Sequence, residues 1–294
     1  MEYLATVTIL IAIYVILAAS YNLVIGYGGL ATVAHPIFFA IGAYVTGLLA
    51  IHAGLPPIVC VALGAVAAMV ASVLLAASSL RVSGDYLLIA SLGFQLGLLQ
   101  LIRNLEITGG PGGLSNIPST IVGAARTPTF LAITIGLAVV SVLGIRAIVR
   151  GPYGRAITAM RDEELAFTAL GRNAMSMKIV IFAVGCGVAG MAGGVYAFYF
   201  QYVSPEQFEV LQSAQILTMV VLGGMATAYG PVVGAVLLLA IPQAITFLDL
   251  PQNIMAPLQG IIFTVLVLLF LFLRPTGIMG DSDNKPRARA SEAA

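Results

Sequence analysis

The feature that most constrains this chain is the length of its apolar runs and how few charges interrupt them. Of its 294 residues, 60% are hydrophobic and only 9% are Asp, Glu, Lys or Arg, against roughly 25% charged in a soluble domain. About 20 consecutive apolar residues in a helix cross a hydrocarbon layer about 30 Å thick. Runs of that kind recur at about 4–25, 36–53, 57–79, 87–103, 128–149, 177–200, 213–228, 231–248 and 254–273. They predict an all-α, polytopic membrane protein with about 8–10 transmembrane helices. The run at 213–228 is short, and the one at 36–53 opens at Pro36, so broken, tilted or re-entrant helices are expected there. A membrane domain fills 1–280, and the polar tail 281–294 reads as disordered. Glu2 is the only charged side chain before the first run, so that run lacks the basic leader of a signal peptide and reads as a retained span.

A nine-span reading places the charged loop 150–176 on one side of the membrane. All of the 13 basic residues except Arg103 and Arg126 then share that side. The bias marks it as cytoplasmic, with the C-terminus inside and the N-terminus outside.

Chemistry is conspicuous by its absence. The two lysines, Lys178 and Lys285, are followed by Ile179 and Pro286, so no Gly-x4-Gly-Lys-Ser/Thr phosphate loop exists. Cys60 and Cys186 lie inside apolar runs, and no His, Cys or acidic cluster has metal-ligand spacing. No catalytic residue, metal or cofactor is expected, and no nucleic-acid partner. The spans hold almost no ionisable groups; His35, at a span edge, and Asp249, placed at the outer surface, are the exceptions. Ion-coupled carriers often keep such groups, because each is costly in the bilayer and is retained for function.

Neutral polar residues remain. Asn22, Ser91 and Gln95 are the candidates for a polar pathway, set against interhelical hydrogen bonding as the plainer reading. Gly28-Gly29-Leu30-Ala31-Thr32-Val33-Ala34-His35-Pro36 matches Gly223-Gly224-Met225-Ala226-Thr227-Ala228-Tyr229-Gly230-Pro231 at five of nine positions. This weak internal repeat breaks a helix twice, as transporters do near their binding regions. It adds Gly28, Gly29, His35, Gly223 and Gly224 to the candidate pathway. The pairs Gly93/Gly97, Gly190/Gly194 and Gly230/Gly234 sit four apart and suit close packing within the chain.

The loop between Pro152 and Gly171 predicts an amphipathic helix with Ile157, Met160, Phe167 and Leu170 on one face. Such a helix docks into a partner's groove or lies flat on the membrane surface; the pattern serves both.

Four stretches together resemble the permease subunits of ABC importers for branched-chain amino acids, the LivM-like branch. They are Tyr21-Asn22-Leu23 through Gly29-Leu30 to His35 and Gly42-Ala43-Tyr44; Thr108-Gly109-Gly110-Pro111-Gly112-Gly113-Leu114 with Ile117-Pro118; Gly154-Arg155-Ala156 through Arg161-Asp162-Glu163-Glu164 to Leu170-Gly171; and Tyr202-Val203-Ser204-Pro205-Glu206, Val221 to Met225, Gly230-Pro231 and Arg274-Pro275-Thr276-Gly277. The chain departs from the family pattern at Phe167 and at Pro36. The resemblance implies half of a translocation pathway for branched-chain or other hydrophobic amino acids in a bacterial inner membrane. It implies as partners a second related permease, two ATP-binding subunits and a periplasmic or extracellular substrate-binding protein. The family's coupling helix maps onto 153–171, which makes Arg155, Met160, Arg161, Glu163, Glu164, Phe167 and Gly171 candidates for contact with an ATPase. A self-contained carrier or channel driven by an ion gradient is the rival reading.

Overall fold

A computed structural model describes residues 2–79, 85–118, 126–244, 258–262, 264, 265, 268, 272 and 277–280. Among the described residues the chain is helical, with one isolated antiparallel bridge between Leu114 and Val203. The helices are α1 (Glu2–Tyr21), α2 (His35–His52), α3 (Pro57–Ser79), α4 (Asp85–Asn104), α5 (Arg126–Arg150), α6 (Pro152–Asp162), α7 (Glu164–Ala169), α8 (Ala174–Phe200), α9 (Val210–Gly223) and α10 (Gly230–Ala244). Six of them (α1 with its extension to Tyr27, α2, α3, α4, α5 and α8) are long and apolar enough to cross a membrane. Helix α9 has 14 residues, about 21 Å at 1.5 Å per residue, and is too short to span alone. The expected run at 213–228 therefore ends early, at the Gly223-Gly224 pair. The run at 254–273 is described only at scattered helical positions. Arg81, Asp249, residues 274–276 and the tail 281–294 lie outside the described residues.

Helix α8 is central, and small residues make it so. A Cβ on Gly42 of α2 would stand 2.1 Å from the Gly190 carbonyl oxygen, and one on Gly193 would stand 2.1 Å from the Phe39 oxygen. Gly194 meets Thr46 and Val61, so α2, α3 and α8 approach backbone to backbone. Gly234 is pressed equally close to Met219, joining α10 to α9. The pair Gly93/Gly97 differs from expectation: no atom lies within 4 Å of where a Cβ would stand. These glycines face away from the described subunit. Burial follows the same order, with 78% of the α1 window and 67% of the α2 and α8 windows buried, against 28% for α3, α4 and α5. The last three form the outer wall.

The helix ends sort into two poles. At one pole Thr6 and Tyr199 share a 2.8 Å hydrogen bond between hydroxyls, Tyr3 donates to Gln243, and Arg103 pairs with Glu209 at 2.6 Å. There two family-like stretches meet: Leu114 and Val203 exchange backbone hydrogen bonds, and the Tyr202 hydroxyl donates to the Gly112 carbonyl. At the other pole α6 and α7 pack beneath α5, α8 and the end of α1, and Arg146 donates to the Tyr229 hydroxyl while its guanidinium lies over that ring. Among the described residues this second pole holds Arg146, Arg150, Arg155, Arg161, Arg172 and Lys178, and is the basic pole.

Candidate functional site

The first broken helix begins where α1 widens. Asn22–Tyr27 is π-helical, and α-geometry resumes only at His35, with Pro36 in the first turn of α2. Pro36 has no N–H and its ring opposes backward extension of the helix. Gly29 has φ +67, which suits glycine. Irregular backbone at membrane depth must be satisfied by protein, and this segment is. Leu30 N donates to Val24 O at 3.1 Å, and the Tyr21 hydroxyl donates to Thr32 O. Val33 N donates to Ser91 Oγ at 3.0 Å. Ser213 Oγ lies 2.6 Å from Val33 O and 3.1 Å from Gln95 Oε1, its single proton serving one at a time. Gln95 Nε2 donates to Phe208 O at 3.2 Å.

Ser91 and Gln95, both fully buried, thus hold the broken segment from α4, Ser91 directly and Gln95 through Ser213. In this conformation they make the interhelical hydrogen bonds of the plainer reading. Gly28 is buried against Val24 and Ile181. His35 is buried, its Nε2 is 2.8 Å from Ser20 Oγ, and its ring lies 4.8 Å from that of Tyr21.

The second break follows α9. Gly224 has φ +114 and abuts Gly277 and Gly280, while Gly223 is packed on Gly230. Ile278 N and Met279 N donate to Leu222 O and Gly223 O at 2.9 and 3.0 Å, so the segment 277–280 closes over this turn. Asn22 joins the two breaks. Its Oδ1 accepts from Ala226 N and its Nδ2 donates to Thr227 O, both at 2.9 Å. A Cβ on Gly26 would come within 2.7 Å of Ala226 N. The second repeat copy therefore rests on the π-helical turn that leads into the first.

The charged loop forms two helices where the sequence suggested one. Glu163 is extended (φ −152, ψ 92) and separates α6 from α7. Gly171, at φ +79, ends α7 as expected. Ile157, Met160 and Phe167 are buried within the subunit, but Leu170 is 82% exposed. The inward face accordingly stops at Phe167. Met160 and Phe167 are packing groups of this chain, and the exposed apolar side chains are Tyr153, Leu165 and Leu170. Arg155 and Glu163 are exposed beside them.

Arg161 turns inward: Nη1 donates to Gly26 O at 2.8 Å, and its stem lies against Gly29, where a Cβ would meet Cγ at 2.6 Å. Glu164 accepts from Lys178 Nζ at 2.6 Å, tying α7 to the first turns of α8. The tethers from Arg161 and Asn22 were invisible in the sequence because their acceptors are backbone carbonyls far along the chain. Among the described residues no group of three His, Cys, Asp or Glu side chains is placed to hold a metal.

Residues 3–271 match the family described as Branched-chain amino acid transport system / permease component. The high-affinity branched-chain amino acid transport system permease protein LivM of Salmonella typhimurium is 34% identical over 99% of this chain and 72% of its own length. The LivM protein of Escherichia coli is 34% identical over 94% of this chain and 69% of its own. The autoinducer 2 import system permease protein LsrC of Yersinia pseudotuberculosis is 28% identical over 58% of this chain and 49% of its own. No solved structure matches. A multi-pass helical membrane protein with two broken helices, matched over nearly its whole length, the chain belongs to the branched-chain amino acid transport permease family.

Proposed function

We propose that this chain is one of two permease subunits of an ATP-driven importer for branched-chain or other hydrophobic amino acids. Two ATPases dock on the basic pole, which faces the cytoplasm. The binding protein docks on the opposite pole, where the N-terminus lies. The observation that carries this reading is the Arg161–Gly26 hydrogen bond. It links the surface on which an ATPase would push to the broken helix of the candidate pathway. Asn22 carries the connection onward to the second break.

In this mechanism ATP binding in the partners shifts α6 and α7, and the tethered π-helical turn follows. Bistable packing, rather than chemistry in this chain, converts that shift into alternating access. Gly28, Gly29, His35, Gly223 and Gly224 lie in or beside the moving segments. Arg155, Glu163, Leu165 and Leu170 form the docking surface, and Arg161, Glu164 and Gly171 position it.

The reading is tested by purifying the tagged chain from its native membrane in mild detergent, with partners identified by mass spectrometry. An ATPase and a second related permease, with ATP-dependent L-leucine uptake after reconstitution, are the expected result. A lone chain that moves solute along an ion gradient without ATP overturns it in favour of a self-contained carrier.

A further inference from the structure

A cavity of about 270 Å³ opens at the pole opposite the basic one, between α1, α2, α8 and the start of α9. Leu10, Phe39, Tyr196 and Leu211 make its apolar walls. Its size is at the small end for ligand pockets and suits one amino-acid-sized solute. Its polar groups are lopsided: Glu206, Glu209, Gln207, Gln212 and Gln215 line it, and no basic side chain does. Glu209 is engaged by Arg103 at 2.6 Å. Glu206 is exposed and, among the described residues, makes no ion pair.

Gln212 supplies an independent observation. Its side chain is 9% exposed, Nε2 donates to the Tyr14 hydroxyl at 3.2 Å, and buried Oε1 has no partner. Whichever way the amide is turned, one of its two polar atoms is left without a partner. A buried unpaired amide lining a cavity offers a polar position that a ligand group can complete.

We infer that this cavity is a substrate subsite of the permease itself, which takes the primary ammonium group of an apolar amino acid. Glu206 balances the charge, Gln212 and Gln215 offer amide groups to the zwitterion, and Phe39 and Tyr196 enclose the side chain. The choice of solute rests on the importer reading above.

The test uses the assembled importer in membrane vesicles carrying Leu211→Cys, a position at the cavity that is 74% exposed. Cys60 and Cys186 are buried, and labelling of the importer with Leu211 unchanged is subtracted as the background from all other cysteines. Maleimide labelling is timed with L-leucine, with 3-methylbutylamine (ammonium alone) and with 4-methylpentanoate (carboxylate alone). L-leucine and the amine should each slow labelling about threefold at twice their Kd, and the carboxylate should not. Glu206→Gln and Gln212→Leu, each added to Leu211→Cys, should abolish the protection.

Absence of protection by either ammonium compound, protection by 4-methylpentanoate alone, or protection that persists in both added variants overturns the subsite. So does a Leu211→Cys chain that resists labelling altogether, because a partner then fills that face. ATP-driven uptake in vesicles carrying the unsubstituted importer separates the two readings. Uptake without protection sinks the subsite alone. Protection without uptake sinks the importer reading and leaves the subsite standing.

Discussion

Arg161, in the short helix after α5, donates a hydrogen bond to the carbonyl oxygen of Gly26, 135 positions earlier in the chain. The acceptor is a backbone group in a π-helical turn, where the regular helix ladder is interrupted. One arm of the guanidinium, Nη1, reaches it while Nε and Nη2 face Asp162 and the stem packs on Gly29.

Removing that link should separate ATP hydrolysis from transport. Arg161→Ala is expected to assemble normally, retain ATPase activity and lose most substrate uptake. The side chain is partly exposed, at 26%, so the bond lies at the low end for a charged donor, about 1.5 kcal/mol, and the chain should still fold. Reconstituted vesicles assayed for both activities decide it. Uptake and hydrolysis that fall in step would show that Arg161 serves assembly instead.

Asn22 is a stronger structural case, because it satisfies two backbone groups at once and is only 2% exposed. Asn22→Ala strands Ala226 N and Thr227 O. Each stranded buried group costs about 1–3 kcal/mol, and Ala226 is held at φ +57, where a non-glycine residue needs support. Asn22→Asp keeps an acceptor for Ala226 N but sets a second oxygen, and when ionised a buried charge, against Thr227 O, so it too should melt below wild type in detergent. Equal melting points for all three would mean that the two repeat copies do not depend on this residue.

The general architecture was legible because the bilayer imposes length and apolarity on every span. Glycine and proline marked both breaks, because glycine admits the positive φ found at Gly29 and Gly224 while proline fixes φ and lacks an N–H donor. Side-chain direction was less legible. The periodicity of 153–171 put Leu170 with Ile157 and Phe167, but an extended Glu163 resets the helical phase and turns Leu170 outward. Ser91 and Gln95 stood out as polar residues in apolar runs. Their partners, Val33 N and Phe208 O, are backbone atoms that no side-chain pattern reveals.

The reset face changes which residues should matter to an ATPase. Leu165 and Leu170 are 79% and 82% exposed, so Leu165→Ser with Leu170→Ser should leave the yield of the chain intact and reduce recovery of the ATPase on co-purification. Met160→Ser should instead lower the yield itself, because Met160 is 2% exposed and packs inside the subunit. Unchanged ATPase recovery from the double variant would place the docking surface elsewhere on the basic pole.

Two glycines of similar appearance in the sequence should respond in opposite ways to one added methyl group. At Gly42 a Cβ would stand 2.1 Å from the Gly190 carbonyl oxygen, and the obstacle is backbone rather than the end of a movable side chain. Gly42→Ala must therefore push α2 from α8, where overpacking commonly costs about 1–3 kcal/mol. At Gly93 nothing lies within 4 Å, and alanine also favours the helix by about 1 kcal/mol over glycine. Thermal unfolding of the purified chain in detergent should show Gly42→Ala clearly destabilised and Gly93→Ala unchanged or slightly stabilised. A destabilised Gly93→Ala would mean that α4 packs inward along this face, and an unaffected Gly42→Ala would mean that α2 and α8 do not approach backbone to backbone.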